Sequence, residues 1–325
     1  MNCDLLVVGN DEAAIELALQ AASDGQEVIS ALPVEYHSAW IVRETLRTMT
    51  TQLAADFPVP RRHQLRRYRE TRFLLTLLKR ALSREQLVQQ QRLQDAGVRV
   101  LHGEMRCAGN GLFHVTTSGG RQPLPLRTRA CVIATGVRCG SAMAYDGLDH
   151  LFSSLWVPEQ LQIAAGCGVG IGLASLYQLF GVSTELIASV DTCEAMAEFA
   201  SDIGVDVVRC SEFEERPFSL TRRRSSGMRI DCRRQIGCTE HLQLEQAGVI
   251  PDDRGRLWCN DILETWCEGI YAAGAVVGFS GLVNAPLRDQ VRVILSALRG
   301  EASSFRGSQR TAARSKLERQ SDTSG

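Results

Sequence analysis

The residues from Cys3 to Ser30 constrain this chain more than any other stretch. Leu5, Leu6, Val7 and Val8 form an unbroken apolar run, the pattern of a strand buried on both faces. Gly9, Asn10 and Asp11 supply turn chemistry. From Glu12 to Asp24 the residues Ala14, Ile15, Ala18, Leu19 and Ala22 share one helical face, and Gly25 stops the helix. Gln26 to Ile29 reads as a second strand. Strand, tight turn, helix and strand at this size open a doubly wound α/β sheet.

In such sheets the first turn commonly reads G-x-G-x-x-G. The first Gly makes the turn, the second lets the backbone approach a diphosphate, and the third packs helix on strand. Here those places hold Gly9, Asp11 and Ala14. Ala14 is a mild change. Asp11 puts a negative charge where a diphosphate would sit at the helix N-terminus. The acid that usually ends the second strand and bonds a ribose is also missing, because the chain reads Ser30, Ala31, Leu32 there.

A chain of 325 residues has room for two domains. A formal net charge of -1 implies no polyanionic partner for the molecule as a whole. The apolar runs are too short to span a membrane, and the N-terminus lacks a basic region followed by an apolar core. The expectation is a cytoplasmic protein with no membrane and no nucleic-acid partner. Eleven Cys are scattered without C-x-x-C spacing, so neither a metal site nor a disulfide framework is expected.

Further along, Ile41 to Thr51 and a stretch ending near Gln94 have helical patterns. Between them lies a basic run, Arg61 to Arg72, read as a solvated helix face rather than a nucleic-acid patch. Gly97 to Gly103 reads as a strand ending in a turn, with antiparallel strands at Leu112 to Ser118 and Leu124 to Arg127. Ala130 to Ile133 is a further buried strand, and Ala134, Thr135 and Gly136 form a small-residue turn that lets a ligand or a strand come close.

A second strand–turn–helix unit begins near Leu161. Its Gly-rich turn holds Gly166, Gly168, Gly170 and Gly172, and its helix runs from Leu173 to Phe180. Two readings of these glycines stand side by side: backbone N–H groups kept open for phosphate, or close helix–strand packing. Arg222 to Gly227 reads as an exposed hairpin tip, Pro286 to Leu298 as a helix, and the polar residues from Gly300 onward as a disordered tail.

Taken in order, these segments resemble the FAD-dependent pyridine nucleotide-disulfide oxidoreductases, most of all the soluble transhydrogenase and dihydrolipoamide dehydrogenase branches. Asp4 to Gly9 (D-L-L-V-V-G) resembles the opening FAD strand, and Val132 to Gly136 (V-I-A-T-G) the A-T-G turn near the flavin. Gln235 to Gly248 resembles the segment G-R-x-x-N-T-x-x-L-x-L-x-x-x-G, and Asp253 to Arg256 continues it. Ile270 to Ala275 (I-Y-A-A-G-A) resembles the second FAD segment, I-Y-A-x-G-D, and Leu282 to Arg292 the helix after it.

The resemblance implies an α/β protein of two Rossmann-like domains with parallel sheets, the second inserted in the first, plus small antiparallel meanders. Residues 1–150 and 261–300 would form an FAD-binding-like domain, 151–260 an NAD(P)-binding-like domain, and 301–325 a tail. It implies FAD at Gly9, Asn10, Ala14, Ala134, Thr135, Gly136, Gly274 and Ala275, and NAD or NADP at Gly166, Gly168 and Gly170. In active relatives NAD(P)H reduces the flavin, which passes electrons to a disulfide or a second nicotinamide.

The departures from the family pattern are specific. The Asp of its G-D pair is Ala275 here. With Asp11 and Leu32, three FAD anchors are altered. At roughly 1.5–3 kcal/mol for each charged or bidentate hydrogen bond, their loss weakens binding on the order of a thousandfold or more. The stretch matching the redox Cys pair, Tyr36 to Thr48, contains no Cys. The family's dimerisation domain, with its catalytic His and Glu, has no counterpart after Arg299. Ala188 stands where an acid would select NAD. The expectation is a family member with degenerate chemistry and weakened FAD binding. The alternative is an active flavoprotein that moves hydride from NAD(P)H to FAD and on to an acceptor.

Overall fold

The computed structural model describes residues 1–33, 38–57, 71–109, 111–117, 122–139, 158–165, 168–189, 194–210, 227–233 and 235–301. Most of the Arg61 to Arg72 run, Gly166, the segment Arg222 to Ser226 and the tail beyond 301 lie outside them. The chain divides into two compact units. The first comprises Met1–Glu35, Leu93–Thr135 and Thr239–Gly325; the second comprises Tyr36–Arg92 and Gly136–Cys238.

In the first unit β1 (Asn2–Val8) leads through Gly9 into α1 (Glu12–Ser23), and β2 (Val28–Leu32) follows. Ala13, Ala14, Ile15, Leu17, Ala18 and Ala21 are buried along α1, the apolar stripe that sets it against the sheet. Gly25 ends the helix at φ 80, its N–H donating to the Ala22 carbonyl at 3.0 Å.

The sheet is completed by β3 (Arg99–Gly109), β4 (Leu112–Thr117), β5 (Leu124–Ile133) and, later, β13 (Ile270–Ala272). Its parallel part runs β3-β2-β1-β5-β13, and β4 pairs antiparallel with the outer ends of β3 and β5. With β1 central and the chain leaving it toward β2 on one side, the β1/β5 boundary is where the strand order reverses.

Two strands differ from the sequence reading. Gly103 does not end β3. It lies within the strand because a β-carbon there would stand 2.2 Å from the Thr116 carbonyl oxygen on β4. Leu124–Ile133 is one strand and not two, since its polar first part pairs with β4 and its apolar second part with β1 and β13.

The second unit holds α2 (Ala39–Asp56) and most of α3 (Thr71–Asp95), followed by the short β6 (Val137–Cys139). Then come β7 (Gln160–Ala165), α4 (Gly168–Leu179), β8 (Ser183–Ser189), α5 (Glu194–Ile203), β9 (Asp206–Cys210), β10 (Gly227–Cys232) and β11 (Gln235–Gly237). β10, β7, β8 and β9 form a fully parallel sheet in that order, and β11 pairs antiparallel with β6. Ile163, Leu173, Phe180 and Leu186 are among the buried residues of its core.

The expected Gly-rich turn is corrected here. Helix α4 begins at Gly168, so Gly168, Gly170 and Gly172 are helical. A β-carbon on Gly170 would lie 2.6 Å from the Ala165 β-carbon, and one on Gly172 would lie 2.8 Å from the Leu46 β-carbon. Tertiary packing therefore outweighs the low helix propensity of Gly.

The first unit finishes with β12 (Leu257–Trp258), β14 (Val277–Phe279) and α6 (Leu287–Leu298). Trp258 and Phe279 face each other there with ring centroids 5.4 Å apart. Among the described residues no helix is long and apolar enough to cross a membrane.

Candidate functional site

In open α/β sheets a ligand site lies beyond the carboxyl ends of the strands, where the strand order reverses. In the first unit that place is built by the turns after β1, β5 and β13. The Ala134 N–H donates to the Val8 carbonyl at 2.8 Å, and the Ala273 N–H to the Ile133 carbonyl at 3.0 Å. The predicted residues Gly9, Asn10, Ala14, Ala134, Thr135, Gly274 and Ala275 all come from this end of the sheet or from the first turn of α1. Gly136, the next residue after Thr135, belongs to the second unit, where its carbonyl accepts from the Cys238 N–H at 3.1 Å.

Gly9 has φ 126, and a β-carbon there would stand 2.2 Å from the Ala134 carbonyl oxygen. The space beside Gly9 is thus filled by this chain's own β5 turn. Thr135 is fully buried, and its hydroxyl has no hydrogen-bond partner among the described residues; the same holds for Ser30 in the middle of β2.

Asp11 is the N-cap residue of α1 and is 6% exposed, yet its carboxylate makes no capping bond to its own helix. Its Oδ2 accepts from the backbone N–H of Ala275 at 3.4 Å. The neighbouring N–H, that of Gly274, donates to Gln290 Oε1 at 2.9 Å. Gln290 is itself buried on α6, and its Nε2 donates to the carbonyls of Leu282 at 3.2 Å and Ala285 at 3.3 Å. Sequence reasoning missed Gln290. Its signal was a lone amide on the inward side of an amphipathic helix.

A groove of about 570 Å³ runs between α1 and α6, lined by Glu12, Glu16, Leu287, Arg288, Val291 and Arg292 among others. None of the residues expected to hold a cofactor lines it. Among the described residues no cluster of His, Cys, Asp or Glu could hold a metal.

Burial pushes the Cys259 thiol up to about 12, opposed only in part by a hydrogen bond to the Ala272 backbone. Burial also raises Cys107, Cys131 and Cys3, and even the more open Cys267 is raised, by burial first and then by Glu264 and Glu268. Raised thiols are poor nucleophiles at neutral pH.

No family model matches the chain. It is similar to the soluble pyridine nucleotide transhydrogenase of Colwellia psychrerythraea, 30% identical over 173 residues, which is 47% of this chain and 36% of that protein. The transhydrogenase of Vibrio parahaemolyticus is 29% identical over 201 residues, 54% of this chain and 43% of that one. The matches therefore span less than half of these relatives. Among solved structures, the Cu(II) complex of the HOCl-induced flavoprotein disulfide reductase RclA from Escherichia coli aligns with a TM-score of 0.64 and 18% identity, over 93% of this chain and 72% of that one. LpdA from Mycobacterium tuberculosis aligns with a TM-score of 0.61 and 17% identity, over 92% and 73%. The chain is thus similar over about half its length to soluble pyridine nucleotide transhydrogenases, and it shares its fold with flavoprotein disulfide reductases.

Toward a flavin dinucleotide the first unit presents features of two kinds. The Thr135 hydroxyl is an open hydrogen-bonding group, and the Ala134 to Gly136 turn is small. Against these, a carboxylate stands at the α1 N-terminus, and residue 275 ends in a methyl group. A diphosphate at that helix end would meet a buried negative charge, which repels it.

Proposed function

We propose that this chain is a transhydrogenase-like member of the pyridine nucleotide-disulfide oxidoreductase family with weakened FAD binding and degenerate redox chemistry. In this reading the first unit is the FAD-type domain and the second the NAD(P)-type domain. Gly9, Asn10, Ala14, Ala134, Thr135, Gly136, Gly274 and Ala275 would face the flavin nucleotide. Gly168 would face NAD or NADP at the start of α4, where Gly170 packs against Ala165.

The observation that supports weakened flavin binding is the Asp11 carboxylate bonded to the Ala275 N–H at 3.4 Å. The chemistry of relatives needs a thiol pair or a second nicotinamide to receive electrons. The stretch Tyr36 to Thr48, which the resemblance aligns with the redox pair, contains no Cys. The role left to the chain is nucleotide or partner binding without turnover. Titrating the protein into FAD and following flavin fluorescence tests this: a curve that fails to saturate at micromolar protein is expected. Saturation at one flavin per chain supports the alternative, an active flavoprotein passing hydride from NAD(P)H through FAD to an acceptor.

A further inference from the structure

We infer that Asp11 is an internal anion that occupies the place of a ligand's diphosphate, so that the crossover of the first unit is locked without a dinucleotide. The inference rests on the weakened-FAD reading and names the residue responsible. Four observations carry it. The Asp11 carboxylate ignores its own helix and reaches residue 275, across 264 positions of sequence. It is buried, at 6% exposure, where a charge needs a built partner. Gly274, at φ 75, has no room for a side chain: a β-carbon there would lie 2.8 Å from both Asp11 Oδ2 and the Ala13 β-carbon. Finally, the two successive N–H groups of this loop, 274 and 275, are both taken by side chains of the protein, Gln290 and Asp11.

Backbone N–H groups at a helix start and an adjoining loop are what a diphosphate would use. Here those of the loop, at 274 and 275, are satisfied from within. The carboxylate both excludes a dianionic ligand and ties β13 to α1. Removing its charge while keeping an acceptor should admit the ligand; removing the side chain should admit the ligand and loosen the tie.

The test compares wild type with Asp11→Asn and Asp11→Gly, using calorimetric titration with ADP and with FAD, and thermal unfolding with and without FAD. Asp11→Asn should bind both ligands about tenfold tighter or more than wild type. Asp11→Gly should melt roughly 2–4 °C lower when apo and recover its midpoint with excess FAD, because a ligand bound only by the folded state stabilises it. If both variants bind no tighter than wild type and melt with it, the inference is overturned while the weakened-FAD reading stands. Tight FAD binding by wild type overturns both.

Discussion

Gly9 and Ala134 meet at the ends of β1 and β5 with no space between them: a β-carbon on Gly9 would stand 2.2 Å from the Ala134 carbonyl oxygen and 2.6 Å from the Thr135 α-carbon. The obstacle is backbone and cannot swing aside. Gly9 also sits at φ 126, where L side chains are strained. Gly9→Ala should therefore lower unfolding free energy by about 3 kcal/mol or more, read from the urea midpoint. A loss below about 0.5 kcal/mol would mean the β1–β5 turn is looser than described.

Gly170 sets two effects against each other. Replacing a helical Gly with Ala gains about 1 kcal/mol of helix propensity. Its new β-carbon would lie 2.6 Å from that of Ala165 and 3.3 Å from that of Cys232, both on the sheet beneath. Overpacking of this kind costs typically about 1–3 kcal/mol, so Gly170→Ala should be net destabilising. A more stable variant would show that helix and sheet are not in such close contact.

Gln290 holds the 274–285 segment through three bonds, one accepted from Gly274 and two donated to Leu282 and Ala285. Gln290→Leu keeps the bulk and leaves these backbone groups without partners. The expected cost is about 2–5 kcal/mol in chemical denaturation, against little effect for the exposed neighbour Arg292 on the same helix. Equal and small effects at both positions would remove Gln290 from its positioning role.

Alkaline pH should weaken the fold. Burial raises Tyr177 from 10.0 to about 12 and Cys259 from 9.0 to about 12. Tyr271 is likewise raised to about 12, by burial first and then by Glu264. Each of these groups holds its proton more firmly folded than unfolded. Their contribution is complete below the unfolded value and is lost as pH climbs from about 9 toward 12. The thermal midpoint should fall steadily across that interval, and a flat profile would contradict their burial.

Much of the architecture was legible in local pattern. The run Leu5 to Val8, the stripe of α1 and the stop at Gly25 define β1–α1–β2 without reference to anything distant. The failures share one cause, which is tertiary contact overriding local chemistry. Gly103 has turn character yet stays in β3 because Thr116 leaves no room for a side chain. Gly168, Gly170 and Gly172 have loop composition yet lie in the first turns of α4, where Ala165 crowds Gly170 and Leu46 crowds Gly172. Pro125 and the polar residues 127–129 break the apolar pattern of β5 without breaking the strand.

The site shows the same division. That Asp11 and Ala275 depart from the nucleotide fingerprint was readable from motif positions. That they bond each other was not, since 264 residues separate them and no local periodicity connects them. Gln290, too, needed the folded chain to reveal which backbone groups it serves.

The most direct measurement is the flavin content of the purified full chain after incubation with excess FAD and desalting, followed by an assay of NADH and NADPH oxidation on the same sample. The account predicts a colourless protein that retains well under one flavin per chain and does not consume reduced nicotinamide. A yellow protein with one flavin per chain and sustained oxidation of either nicotinamide would contradict it.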